Sequence, residues 1–418
     1  MPPRLLLVAP PNSYRTAAYL AAARQQHVDV LVASEGRHSL VSEVAGGLHI
    51  DLSDPGAVDT LLQASHERPF SGVVATDDAT VELASHVAMQ LGLPHNPPQA
   101  ARCSRRKDLS RQALADADAG VPDFRVIDLG LPLAQQLGVL PFPCVIKPLT
   151  LSGSRGVIRV DSMEEALSAC TRVQSILARE SLHDPFAASR LLMERYVPGP
   201  EVALEGLLMR GKLQVLAVFD KPDPLEGPYF EETYYIMPSR HAPAVQQAVS
   251  ACVQAACRGL GLLEGPVHAE VRIAREGCVI MEVASRTIGG ECARLLSTGT
   301  GHSLEALVIA HATGQRLDCE RPVDAAGVLM IPIPRAGILR RIEGIPAARA
   351  VPCIEDISIA VREGYELVPL PEGASYLGFI FARAPTPAAA EAALRAAFAE
   401  LNIVVAPLLR LQNGSAST

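Results

Sequence analysis

The chain has 418 residues, more than one hydrophobic core usually organises, so about three compact units are expected. Aromatic residues make up only 4%, with no Trp, and 37 Lys and Arg against 45 Asp and Glu give a net charge of −8. This composition argues against base-stacking platforms, nucleic-acid partners and anionic membrane surfaces. Nine cysteines are scattered without a Cys-x-x-Cys pair, which fits free thiols in a reducing cytosol. The start, from Met1 to Pro10, is too short an apolar run for a signal peptide. No stretch approaches the ~20 apolar residues of a membrane helix, so a cytoplasmic chain is expected.

Residues 1–100 alternate strand and helix. Leu5-Leu-Leu-Val-Ala, Val28-Asp-Val-Leu-Val-Ala and Gly72-Val-Val-Ala-Thr read as strands, and 80–91 as a helix. That pattern predicts a parallel sheet covered on both faces, with ligand-facing loops at Asn12, Ser13, Asp77 and Asp78. A turn-rich linker at 94–98 leads to a basic helix start, Arg105-Arg106-Lys107-Asp108. The strand Cys144-Val-Ile-Lys147-Pro carries a lysine in an apolar run, where a lone charge is costly and an anionic partner is expected. It leads into Ser152-Gly153-Ser154-Arg155-Gly156, either a phosphate-covering loop or a surface hairpin. No Lys-Ser/Thr follows the glycines, so it is not a Walker A loop. Helices are expected over 164–180 and 242–260. From about residue 326 an α+β tail is expected, with strands over 354–361 and 376–383, a helix over 387–401 and a frayed end at 413–418.

The pair Glu270 and Glu282 lies in two alternating segments separated by Arg275, Glu276 and Gly277. This predicts a β-hairpin with both carboxylates on one face. Two such carboxylates suit Mg²⁺, and Arg286 just beyond suits a developing negative charge. The same residues also fit cross-strand ion pairs with Arg272 or Arg286.

Taken in order, these features resemble the ATP-grasp superfamily over roughly residues 1–325. The resemblance implies an ATP-grasp fold, α/β and α+β, with an N-terminal parallel-sheet domain and a C-terminal α+β domain. It implies a pre-ATP-grasp unit at 1–100, a small subdomain at 101–205, a large subdomain at 206–325 and the tail unit at 326–418. ATP would be held by Lys107, Lys147 and the loop Ser152, Gly153, Ser154 and Gly156. Glu194 with the backbone at Tyr196 and Val197 would meet adenine, and Glu201 the ribose. Glu270 and Glu282 would bridge two Mg²⁺, with Mn²⁺ an alternative. Many members have Asn where this chain has Ala284, so Ser285 or water would have to complete the metal shell.

Within the superfamily, Phe219-Asp-Lys221-Pro through Glu232-Thr233, Ser285-Arg286-Thr-Ile-Gly289-Gly290 and Pro371-Glu-Gly-Ala-Ser-Tyr-Leu-Gly resemble the L-amino-acid ligases. The implied activity is ATP-dependent joining of two amino acids through an acyl phosphate, releasing ADP and phosphate. Lys147 and Arg286 would be catalytic. Glu232, His268, Arg286, Gly289 and Gly290 would form the substrate site, His268 as a structural histidine rather than a base. Glu232 fits either a substrate ammonium or an exposed strand position, and Tyr235 stands where related ligases often have His. The expected partners are ATP and small amino acids, with a homodimer allowed. Rival readings are an ATP-grasp ligase for another carboxylate–amine pair, in natural-product or nucleotide-precursor synthesis, and a non-catalytic ATP-binding regulator.

Overall fold

The computed structural model describes residues 2–35, 46–180, 184–317, 324–373 and 375–408; the 413–418 tail and Cys319 lie outside them. Strand β1 (Arg4–Val8) is a continuous apolar run, as expected for an interior parallel strand buried on both faces. With β2 (Asp29–Ser34), β3 (Gly46–His49) and β4 (Gly72–Ala75) it forms a sheet of order β3-β2-β1-β4, parallel throughout. The strand order reverses between β1 and β4. The loops after their carboxyl ends, with Ser13 and Asp77, therefore border a crevice.

A second sheet is antiparallel. Its strands are β5 (Phe124–Asp128), β6 (Cys144–Pro148), β7 (Ile158–Val160) and β8 (Arg190–Arg195), in the order β5-β8-β6-β7. All five residues of β6 are buried, Lys147 included. The helix Met163–Leu177 covers this sheet and is capped by the Ser162 hydroxyl, which accepts from the Glu165 N–H.

The chain then forms β9 (Glu201–Met209), β10 (Lys212–Lys221), β11 (Tyr234–Met237), β12 (Gly265–Ala274), β13 (Gly277–Ala284) and β14 (Ala325–Ile331). It continues through β15 (Gly337–Glu343), β16 (Ile354–Ile359), β17 (Glu366–Leu367), β18 (Gly378–Ala384) and β19 (Asn402–Ala406). Eight of these make one sheet, β13-β12-β9-β10-β11-β14-β18-β16, and β17-β15-β19 a small separate one. The large sheet thus takes strands from both sides of residues 325–326. The helix Pro243–Leu260 packs on it through Val249, Val253, Ala256, Cys257 and Leu260, spaced for one helical face. Proline at its first turn and left-handed Gly261 set its ends. Each fully buried Val or Leu here contributes about 1.5–3 kcal/mol. Leu5, Leu7 and Tyr19 share a core with Leu295, Leu304 and Leu307, so the parallel sheet is packed onto the large one.

Two boundaries differ from expectation. Residues 94–98 do not form a simple linker, because Pro98 starts a helix, Pro98–Arg105, where a missing N–H costs nothing. The next helix, Lys107–Asp116, begins two residues later than predicted, since Arg106 is extended (φ −103°, ψ 108°) and ion-paired to Asp108 and Asp184. Among the described residues no helix is long and apolar enough to cross a membrane.

Gly199 joins the second sheet to the large one. Its φ is +121°, and a Cβ there would lie 2.4 Å from the Ile273 carbonyl oxygen. Gly277, at φ +136°, has nothing within 4 Å of the same position. Alanine at either site carries backbone strain of about 1–3 kcal/mol, but only Gly199→Ala adds a clash. Thermal unfolding should therefore show a clearly lower midpoint for Gly199→Ala than for Gly277→Ala. Equal midpoints would remove the clash.

Candidate functional site

A cleft opens between the second sheet and the large sheet. Its roof is Lys107, Lys147, Ser152, Gly153 and Ser154, its back is Glu194, Tyr196 and Val197, and its floor is Glu201, Glu232, Glu270 and Glu282. Gly156, His268, Arg286, Gly289 and Gly290 are not part of this lining. Gly156 donates its N–H to the Pro371 carbonyl at 2.9 Å, so that amide is already engaged.

In the roof, Lys147 Nζ lies 2.6 Å from Glu194 Oε2, while Arg111 Nε takes Oε1 at 2.6 Å. Each oxygen of Glu194 therefore accepts from a cation, which makes its carboxylate the anchor of Lys147 and Arg111. Burial, reinforced by Arg111, lowers the Lys147 ammonium to about 8 against the pull of Glu194. Lys107 donates from Nζ to the Leu151 carbonyl at 2.9 Å and lies 3.6 Å from Glu282. At the back, Tyr196 N–H is donated to the Pro143 carbonyl, and the Val197 carbonyl accepts from Arg272 at 2.6 Å. Arg272 also holds Glu201 at 2.9 Å and lies against the rings of Tyr196 and Phe230.

The floor is organised by Lys221, a residue with no role assigned from sequence. Its buried ammonium meets Glu201 at 2.8 Å, Glu270 at 3.2 Å and Glu232. Burial opposes its charge, but the three carboxylates outweigh it and hold the ammonium well above its ordinary range. Lys221 ends an apolar strand, β10, and the reasoning applied to Lys147 would have found it. Glu232 also accepts from the Tyr235 hydroxyl at 2.7 Å, so neither of its oxygens is free for a substrate ammonium. Burial and the nearby Glu270 push the Glu232 carboxyl up to about 7.

Glu270 and Glu282 are direct cross-strand partners in the β12–β13 hairpin. Burial would raise Glu270, but Lys221 and His268 outweigh it and hold the carboxyl well below its usual range. His268 lies 3.3 Å from fully buried Glu205 and 3.7 Å from Glu270. Those carboxylates overcome burial and lift the imidazole to about 9, a charged partner rather than a base. Three cations, Lys221, Arg272 and His268, thus face four carboxylates, Glu201, Glu205, Glu232 and Glu270. The oxygens of Glu201, Glu232 and Glu270 lie within 4.8 Å of one another, around the Lys221 ammonium. Glu270 and Glu282, opposed on the hairpin and both lining the cleft, are hard oxygen donors of the kind a divalent cation such as Mg²⁺ takes. Ser285 does not complete a metal shell, because its hydroxyl is bonded to Ser104 at 2.8 Å.

The remaining predicted residues meet the N-terminal unit. Arg286 Nε pairs with Asp78 at 3.0 Å, and Arg15 with Asp77 at 2.6 Å. Ser13 donates to Asp77 at 2.6 Å. Gly290 donates its N–H to the Tyr14 hydroxyl at 3.1 Å, and a Cβ on Gly289 would lie 3.4 Å from Arg15. The Gly290 amide is therefore engaged by the Tyr14 loop rather than open to substrate.

The sequence matches the ATP-grasp domain over residues 140–294, the ATP-grasp N-terminal domain over 20–95 and the L-amino acid ligase C-terminal domain 2 over 329–406. The structure is similar to the L-amino acid ligase from Bacillus licheniformis, with TM-score 0.83 and 25% identity over 97% of this chain and 99% of that one. Among curated relatives, dapdiamide A synthase of Enterobacter agglomerans is 25% identical, covering 65% of this chain and 64% of that protein. Carnosine synthase 1 of Gallus gallus is 29% identical, covering 55% of this chain and 26% of that protein. The chain thus spans less than two thirds of the length of either of these two relatives.

Lys221→Met would leave the buried carboxylates of the floor without their shared cation. Removing one partner of a buried ion pair typically costs about 3–5 kcal/mol. The uncompensated carboxyls would then have folded-state pKa values above their unfolded ones, so the loss is full at high pH and shrinks as pH falls through about 7, where Glu232 already titrates. Urea unfolding of parent and variant across that range should show the gap narrowing. A gap independent of pH would contradict the assignment.

Proposed function

We propose that this chain, which belongs to the ATP-grasp superfamily of ligases, joins the carboxylate of one amino acid to the amine of a second, releasing ADP and phosphate. The observation that carries this reading is one cleft uniting two lysines, a glycine-rich loop and an opposed carboxylate pair. The likeness of residues 329–406 to the L-amino acid ligase C-terminal domain supports amino-acid substrates.

Lys107, Lys147 and the amides of the Ser152–Gly153–Ser154 turn face the α- and β-phosphates. At the back of the cleft the Tyr196 carbonyl and Val197 N–H meet an adenine edge, since their companion groups are engaged, and Glu201 meets the ribose. Glu270 and Glu282 would hold Mg²⁺, two ions with Mn²⁺ an alternative, which when bound would offset phosphate charge. A carboxylate oxygen of the first amino acid attacks the γ-phosphorus, the bond to ADP breaks, and an acyl phosphate forms. The amine of the second then attacks the acyl carbon, phosphate leaves with the electron pair of the broken C–O bond, and the surplus ammonium proton passes to solvent. Arg286, held by Asp78 beside the metal strand, stabilises the oxyanion of that step. Charge neutralisation and positioning suffice for such chemistry.

Tyr235 and Ala284, where many related enzymes have His and Asn, favour a second reading, a ligase for another carboxylate–amine pair. A pairwise screen of free amino acids, with phosphate release and product mass as readouts, separates the two. Dipeptide with stoichiometric phosphate is expected, and Glu282→Gln should lower it by orders of magnitude. Phosphate release with non-amino-acid carboxylates alone would favour the second reading.

Lys147 supplies a pH test. Its ammonium is lowered to about 8, so the charged form that phosphate needs is full below that value and lost as pH rises through it. Nucleotide affinity of the metal-free protein should fall by roughly tenfold per unit of pH above about 8. Lys147→Met should flatten the profile and bind weakly at every pH. An unchanged slope in the variant would assign the titration elsewhere.

A further inference from the structure

The glycine-rich loop hangs between two anchors from different parts of the molecule. At its entry, Leu149 and Leu151 carbonyls accept from the Lys107 N–H at 3.0 Å and the Lys107 ammonium at 2.9 Å. At its exit, the anchor comes from the far C-terminal unit. Gly156 N–H is donated to the Pro371 carbonyl at 2.9 Å, and Arg155 Nε to the Glu372 carbonyl at 2.8 Å. The Glu372 carboxylate in turn takes Arg172 in a fork, Nε to Oε1 at 2.6 Å and Nη2 to Oε2 at 2.9 Å. Arg172 lies on the helix Met163–Leu177 that covers the loop's own sheet. Between the anchors, Ser152, Gly153 and Ser154 line the cleft, flanked by Leu151 and Val157.

Both sides of the exit anchor are built to hold one shape. Gly156 has φ +71°, and a Cβ there would press on the Pro148 ring at 3.2 Å. A Cβ on Gly373 would lie 1.8 Å from the Val368 carbonyl oxygen, so the turn carrying Glu372 accepts only glycine at that place. A two-bonded guanidinium–carboxylate fork fixes orientation as well as distance.

We propose that residues 369–373 clasp the exit of the glycine-rich loop, making Glu372 and Arg172 positioning residues that set the loop for nucleotide from outside the cleft. This rests on the reading of the cleft as a nucleotide site. Neither side chain reaches the cleft, so their effect runs through the held Gly156 amide and Arg155 guanidinium at the loop's exit and not through contact with phosphate. The bridge is partly exposed, and bridges of that kind are weak, so the effect is graded rather than all-or-none.

Glu372→Ala, Arg172→Ala and the double variant test the clasp. In nucleotide-free protein, amide exchange over 152–157 should quicken several-fold in each, with the thermal midpoint within a few degrees of the parent. With Mg²⁺ present, titration with ADP should show roughly three- to tenfold weaker binding, and KM for ATP should rise alike while kcat stays within about twofold. The double variant should match Arg172→Ala rather than sum the two single effects, because the Arg172–Glu372 bridge is shared, while Arg172 also bonds the Tyr229 hydroxyl. Arg172→Lys, which keeps the charge but not the fork, should recover only part of the loss. Unchanged exchange in nucleotide-free protein would overturn the clasp itself. Quickened exchange with ADP affinity unchanged would overturn the positioning role, whereas failure of the parent protein to bind ADP at all would instead overturn the nucleotide reading of the cleft.

Discussion

The Lys221 ammonium ties together the elements of the cleft floor. It ends β10, Glu201 begins β9, Glu270 lies in β12, and Glu232 precedes β11, so one buried charge fixes three strands and a loop against one another. Carboxylates gathered this closely repel, and without the lysine the floor would have to take up protons or open to water. With it, and with Arg272 and His268 supporting the same cluster, the carboxylates stay together. The opposed Glu270 and Glu282 beside this cluster offer hard oxygen donors suited to a divalent cation.

The same economy runs through the roof, where Glu194 holds both Lys147 and Arg111. Its carboxylate gathers cations above the cleft and leaves Lys147 able to trade this partner for a phosphate. The N-terminal unit enters the site by a comparable device. Asp78 holds Arg286, and the Tyr14 loop closes on Gly290, so loops at the crevice between β1 and β4 meet the residues just past the metal-candidate strand β13. A parallel sheet offers its ligand-facing loops at that edge for reasons of topology alone.

Much of this was legible in the residues. The β12–β13 hairpin follows from two-residue alternation around a turn, and it brings Glu270 opposite Glu282. Lys147 stood out because a charge in an apolar run needs a partner. What stayed hidden were partnerships between segments far apart in sequence, which no local period records. Lys221 carried the same signal as Lys147, but its three carboxylates come from two separate strands and a loop. Arg286 meets Asp78 across 208 positions, and Arg155 meets Glu372 across 217. The committed state of Glu194, Glu232, Gly156 and Gly290 was hidden for the same reason. A motif shows which residue types are present, and only the fold shows which of their atoms are already bonded.

The account stands on a carboxylate attacking the γ-phosphorus before any amine acts. Transfer of ¹⁸O tests this most directly. An amino acid labelled in both carboxyl oxygens is turned over with ATP and a second amino acid, and the phosphate is read by ³¹P NMR. The account predicts one ¹⁸O in each phosphate released and one retained in the amide carbonyl of the product. Unlabelled phosphate, or label appearing in AMP, would contradict it.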